Sequence, residues 1–273
     1  MKIFELISYS RGNIKGKRRS LLLACLLPFG AELLFRLAEA AFYSLLLYFG
    51  AMQPAELFTG KNAEQLVLAV IFTIARWLVT APLTCAAAVK AMEAAAEKTP
   101  RVHVSELLLD ARFLRRSIAA SVTMKLICLA ALIPAAGAAI YAAETVSRGG
   151  GSRELFGAVN MAVLAVLLMG VWLAARLTAA AVPFLLAAYP EKGGIAAAFG
   201  AFRFMRGRRA LLLKLFAVYL PLMTTIAGIP FFLPELAAAL ATGISIYIKE
   251  DEYAAERGMG GAENGRAEVR RGY

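Results

Sequence analysis

Six stretches of this chain are apolar over lengths that match a lipid bilayer, and nothing else in the sequence limits the fold as strongly. They are 21–49, 66–89, 118–143, 155–188, 211–228 and 231–248. A helix rises about 1.5 Å per residue and the hydrocarbon core of a bilayer is about 30 Å thick, so each can cross, the last two only just. With 60% hydrophobic and 18% charged residues, the chain is too apolar for a soluble protein of its size. The expectation is an all-α membrane protein, with six transmembrane helices arranged as three hairpins and short amphipathic helices lying in the interface. Residues 1–20 form a basic N-terminal segment, 21–248 the transmembrane domain, and 249–273 a disordered tail, since KEDEYAAERGMGGAENGRAEVRRGY mixes both charges with glycine and has no apolar period. The basic leader before Leu21 is too long, and the apolar run behind it too long and too charged, for a signal peptide. The fifth and sixth runs are divided only by AGIP, Ala227 to Pro230. That break reads as a tight hairpin or as the join of two half-spans dipping back from one side.

The formal charge of +11 does not point to nucleic acid, because the basic residues gather at the ends of the apolar runs. Lys2 to Arg19 precede the first run, Lys90 to Arg116 separate the second from the third, and Lys192 to Arg209 separate the fourth from the fifth. The alternate loops hold little beyond Lys61, Arg148 and Arg153. The positive-inside bias then places both termini on the cytoplasmic side of a cell membrane, as a multi-pass protein, with Asn62 and Gly150 outside.

A repeat follows from the same pattern. NIKGKRRSLLLACLL, DARFLRRSIAASVTMKLICLA and FRFMRGRRALLLKLFAVYL each give a basic stretch, an Arg-Arg pair and a span, and RFLR from Arg112 matches RFMR from Arg203. They read as three copies of one hairpin, or as the chance likeness that apolar sequence allows. In GIAAAFGAFRFMRGRR, Ile195, Phe199, Phe202 and Met205 recur at helical spacing and give an amphipathic interfacial helix. Anionic lipids are the expected partners, with Arg112, Arg115, Arg116, Arg203, Arg206, Arg208 and Arg209 against their head groups.

The stretch from Pro183 to Tyr253 carries a proline-containing span, a short basic helix ending in Met205-Arg206-Gly207, a Leu/Phe-rich span, a hinge at Gly228 and Pro230, and a final span ending near Tyr253. In this it resembles the C-terminal half of an uncharacterised family of bacterial integral membrane proteins. That family is similar to the membrane domain attached to some glycerophosphodiester phosphodiesterases, whose soluble catalytic barrel is not matched here. The resemblance implies the architecture and supplies no activity.

Chemistry is confined to charges inside the spans. Glu32, Arg36 and Glu39 lie at i, i+4 and i+7 of AELLFRLAEA and share one helix face. Arg76 and Arg176, near the middle of their own spans, are their expected partners, because a charge at the bilayer centre costs about 2.5–3.5 kcal/mol on insertion scales. These five residues form either a buried network that selects which helices pack or the wall of a polar cavity for an anionic group. Lys125 and Lys214 are expected to snorkel from the ends of their spans and receive no role. Glu235 is expected near the external side, capping the last helix or lining a cavity. His103, the single histidine, reads as an ordinary surface residue, and Cys25, Cys85 and Cys128 form no metal or disulfide motif. No cofactor is expected. The functional expectation is a non-enzymatic membrane protein that handles or senses a membrane-associated anionic ligand such as a lipid. Its alternatives are a secondary transporter of a small anionic solute and a structural partner of another membrane protein.

Overall fold

The computed structural model describes residues 3–49, 63–95, 103–149, 151–223 and 229–271. Among them every regular element is an α-helix: α1 (Ile3–Asn13), α2 (Arg18–Tyr48), α3 (Ala63–Ala95), α4 (Val104–Leu109), α5 (Ala111–Ser147), α6 (Ser152–Ala188), α7 (Gly194–Phe204), α8 (Arg209–Met223) and α9 (Ile229–Arg271). Five of these, α2, α3, α5, α6 and α9, are long and apolar enough to cross a membrane, as in a multi-pass membrane protein. The run expected at 211–228 corresponds to α8, 15 residues ending at Met223, and residues 224–228 with most of the AGIP hinge lie outside the described residues.

Helices α2 and α3 form one antiparallel pair. Phe42 meets Phe72 with ring centroids 5.7 Å apart toward one end, and Cys25 and Pro28 face Thr84 and Ala87 toward the other. Helices α5 and α6 form a second pair, in which buried alanines (Ala120, Ala135 and Ala138 against Ala158, Ala175 and Ala181) let the backbones approach. Leu34, Val70, Ile133, Val166 and Leu167 stand exposed on the outside. Such an apolar exterior suits lipid as its solvent. The starts of α2 and α5 and the ends of α3 and α6 share one end of the bundle, the basic end.

That end is closed by the short helices. Helix α1 is no loose leader: Leu6, Ile7, Ser10 and Ile14 are buried, and the Asn13 side-chain amide donates to the Ala95 carbonyl at 3.4 Å. The units α1–α2 and α7–α8 share one geometry. In each, a buried apolar residue, Ile14 or Met205, precedes by two positions a glycine in the left-handed region, Gly16 at φ 81° or Gly207 at φ 80°. An arginine, Arg18 or Arg209, then opens the next helix. The middle copy of the expected repeat departs from this pattern. RFLR lacks the glycine and lies within α5, whose first turn is capped by Asp110 accepting the Arg112 N–H at 2.9 Å. Without a residue that tolerates positive φ the chain stays helical there.

Helix α7 packs on the bundle through its small residues. Its inward face is Gly194, Ala197, Ala198 and Ala201, all buried against α5 and α6. Ile195 and Phe199 point outward while Met205 is buried in the core. The approach is close enough that a Cβ on Gly194 would sit 2.2 Å from the Arg116 carbonyl oxygen.

The last helix departs furthest from expectation. Glu235 is buried and bonded to Arg11 (Nε–Oε2 2.9 Å) and Arg18 (Nη2–Oε1 3.7 Å), not set on the side opposite to them. Asp251, about 24 Å further along a helix, is bonded to Arg208, beside the end of α6. Both ends of this stretch are thus tied to the basic end of the bundle. In the most apolar 18 residues of Phe232–Tyr253, 56% of the residues are buried, against 11–22% in the corresponding stretches of the other four long helices, so α9 is a core element packed by α1, α2, α3 and α8. Its backbone also continues helically to Arg271, where the sequence led us to expect no fold. No proline follows Ile248, and KEDEYAAER consists largely of good helix formers.

Candidate functional site

Glu32 lies four residues after Pro28 on the face of α2 that turns toward α3. One oxygen, Oε1, takes both the Arg36 Nε at 3.1 Å, along the same helix, and the Arg76 Nη1 at 3.4 Å, from α3. The expected strip therefore forms around Glu32. Its members differ in setting: the Arg76 side chain is only 18% exposed, while that of Arg36 is 65% exposed. Neither arginine pairs with Glu39 among the described residues. Arg176, the other expected partner, does not join the strip.

Arg176 instead lines a cavity of about 650 Å³ enclosed by α2, α3, α5, α6 and α8. Glu32 is at one wall, Lys125 of α5 at another, and the remaining lining is mainly apolar, with Met124, Leu177 and Phe216 among it. The hydroxyls of Thr80 and Thr84 are turned back onto the Arg76 and Thr80 carbonyls at 2.8 and 2.7 Å. Pro28 and Pro183 also line this space. A proline ring cannot donate to the carbonyl four residues earlier, so Pro183 leaves the Ala179 carbonyl, at the same wall, without its helical donor.

Sequence reasoning missed Lys125. Taking the span to begin at Ile118 put it close to an end, but α5 begins at Ala111, so Lys125 lies about 21 Å along the helix. A usable signal was the tryptophans. The chain has two, and each lies against one of the two cavity cations. The Lys125 Nζ is 4.7 Å from the Trp77 ring centroid and the Arg176 Cζ 5.9 Å from that of Trp172. An aromatic face partly replaces a counter-ion where water is scarce. Among the described residues no carboxylate forms a salt bridge with either cation. The cavity thus presents two positive groups that form no salt bridge among the described residues, beside one carboxylate, Glu32, whose close contacts are to two other arginines.

Comparison of the chain with protein-family models, curated proteins and solved structures finds no match. The site is therefore read from its own geometry.

The expected head-group residues divide by the company they keep. Arg116 is a clamp: its Nε donates to the Lys192 carbonyl at 2.8 Å and its Nη2 to the Tyr189 carbonyl at 3.0 Å, satisfying carbonyls that follow the last turn of α6. Arg209 donates from Nε to the buried Thr178 hydroxyl at 3.2 Å and joins α8 to α6. Arg112 and Arg115 are exposed on the first turns of α5. Arg203, Arg206 and Arg208 line a separate groove at the basic end. His103 precedes α4, where its backbone N–H donates to the Glu106 carboxylate at 3.3 Å. Cys85 and Cys128 are free thiols at the cavity wall, and among the described residues no group of His, Cys, Asp and Glu is placed to hold a metal ion.

Proposed function

We propose that this chain is a non-enzymatic multi-pass protein of the bacterial cell membrane that binds an anionic amphiphile in the cavity between its helices. The observation that carries the reading is the pair Lys125 and Arg176, two cations that form no salt bridge among the described residues, in a space otherwise lined mainly by apolar groups and one carboxylate, Glu32. A ligand with one anionic group and an apolar body complements that wall, because an anion accepts charge-assisted hydrogen bonds from both cations while its body lies against the apolar lining. Arg176 is itself exposed, next to Leu173, whose side chain is exposed in the manner of the lipid-facing surface. At that depth the mouth of the cavity faces the bilayer, which favours a lipid-like ligand over a soluble anion.

In the same reading the basic end is cytoplasmic, the four helices α2, α3, α5 and α6 cross the bilayer, and α8–α9 is a re-entrant pair held in the cytoplasmic half. The ties of Glu235 and Asp251 to one end of the bundle support this over a sixth full span. Pro28 inside α2 and Pro183 inside α6, both lining the cavity, favour transport of the anion as the second reading, since such helices bend more readily than unbroken ones.

The test is lipid retention. The full-length protein and a Lys125→Gln/Arg176→Gln variant are extracted in mild detergent and their bound lipids identified by mass spectrometry. The proposal expects a defined anionic amphiphile with the parent protein and its loss from the folded double variant. Equal retention by both would overturn it, and uptake of a labelled anion by proteoliposomes would select the transport reading.

A further inference from the structure

A second concave surface lies at the basic end, where α6, α7, the turn after α7 and α9 meet, and it does not depend on the cavity just described. It is a groove of about 770 Å³ whose floor is made by small and apolar residues, Leu185, Ala196, Ala197, Gly200 and Phe204. Four cations stand around it: Lys192, Arg203, Arg206 and Arg208. They reach it from three elements. Lys192 comes from the turn after α6, where its Nζ is 3.8 Å from the Tyr189 ring centroid. Arg203 comes from the last turn of α7, and Arg206 and Arg208 flank Gly207, whose positive φ folds the chain back so that both arginines face one space.

The cations differ in their freedom. Arg208 is held on three sides: it forks onto the Asp251 carboxylate, with Nη1–Oδ2 at 2.8 Å, and stacks on Phe204 and Tyr247 at 4.9 and 4.7 Å. The hydrogen bond to Asp251 also raises its pKa above the ordinary guanidinium value. Asp251 is the one carboxylate in the lining; Glu191, Glu250 and Glu252 lie around the rim near Tyr189 or Arg208. No salt bridge joins any of them to Lys192, Arg203 or Arg206 among the described residues. Three cations are left over a shallow apolar floor. Outward-pointing Ile195 and Phe199 on α7 set the same groove beside an apolar surface.

From this arrangement we infer that the groove is a binding site for a phosphate monoester. A phosphomonoester carries close to two negative charges at neutral pH and several acceptor oxygens, which suits planar arginine donors converging with an ammonium group. A phosphodiester carries one charge and leaves part of this donor set unused. The ester is borne either by a lipid whose first chain carbons rest on the floor or by a soluble phosphate.

The experiment uses the full chain in phosphatidylcholine nanodiscs titrated with short-chain phosphatidic acid, with phosphatidylglycerol as the phosphodiester control. Arg203→Gln/Arg206→Gln should weaken phosphatidic acid binding about 30-fold, from the usual contribution of two basic side chains near an anionic group. Arg112→Gln/Arg115→Gln, which removes the same charge outside the groove, should change it less than about twofold, as expected for screened exposed charges. Both double variants alter exposed side chains, and their thermal unfolding verifies the fold. Displacement of the lipid by millimolar glycerol phosphate would identify a soluble phosphate as the natural source, and resistance to it a lipid. Equal weakening by the two double variants, or no preference for phosphatidic acid over phosphatidylglycerol, would overturn the proposal.

Discussion

Glu32 and Glu235 are each bonded to two arginines, one contact close and one longer in both cases. Glu32 has Arg36 at 3.1 Å and Arg76 at 3.4 Å; Glu235 has Arg11 at 2.9 Å and Arg18 at 3.7 Å. Their surroundings differ. The Glu235 side chain is 10% exposed and its arginines come from α1 and the start of α2, so the contact locks the last helix to the first two. The Glu32 side chain is 36% exposed and borders a cavity in which, among the described residues, Lys125 and Arg176 form no salt bridge. The same chemistry closes one end of the molecule and leaves the middle open. What decides between glue and site is whether the neighbouring charges are all paired, not the presence of charge within an apolar run.

The largest expected effect falls at the closed end. Glu235→Gln leaves Arg11 and Arg18 without their carboxylate and should lower stability by about 3 kcal/mol, the low end for a broken buried pair because both arginines are partly exposed. Thermal unfolding in detergent checks it. If Glu32→Gln costs as much as Glu235→Gln, the contrast between the two clusters is lost.

Next comes Gly194→Ala, which brings a Cβ to 2.2 Å from the Arg116 carbonyl oxygen and 3.0 Å from the Ala120 nitrogen. Because both are backbone atoms, α7 has to shift, and a loss of about 2 kcal/mol is expected from overpacking. The same replacement at Gly200, where nothing lies within 4 Å, should be nearly neutral to stability. Comparable losses at both positions would show that α7 is not seated as tightly as the basic end requires.

At the open cluster the effects move from stability to ligand. Arg176→Gln breaks no salt bridge among the described residues and should cost under about 1 kcal/mol while reducing retained anionic lipid. A stability loss as large as that of Glu235→Gln would reassign Arg176 to the glue. The smallest effect is expected for Arg36→Gln. Its carboxylate keeps Arg76 and its own side chain is 65% exposed, so unfolding should shift by about 0.5 kcal/mol or less. A collapse of yield in that variant would make the strip a closed network like that around Glu235.

The positions of the long helices were legible in the sequence because spanning length is a one-dimensional property. Expected runs at 21–49, 66–89, 118–143 and 155–188 fall within seven residues of α2, α3, α5 and α6 at every end. The basic stretches at one end were equally visible. So was the Glu32–Arg36 contact, since i to i+4 spacing on a helix brings the side chains together without any tertiary information. Contacts between helices were less readable. Arg76 could be named as a partner for Glu32 but so could Arg176, and only the packing of α2 against α3 separates them. Lys125 escaped notice because its depth depends on where α5 begins, a boundary set by the Asp110 cap and not by hydropathy.

By itself the sequence determined the helical class and the membrane-length helices, for hydropathy and helical rise act locally along the chain. It also determined the two glycine turns, since Gly16 and Gly207 adopt a backbone conformation that other residues resist. Only the tertiary structure decided which way those pieces face. Periodicity gave α7 an apolar stripe, but the small residues Gly194, Ala197, Ala198 and Ala201 permit closer backbone approach than Phe199 does, so they take the inside. Hydropathy likewise could not say that α9 would be enclosed by its neighbours and tied at Glu235 and Asp251 to one end of the bundle. Those ties are made to Arg11, Arg18 and Arg208, residues far away in sequence, and pairings of that kind exist only once the chain has folded.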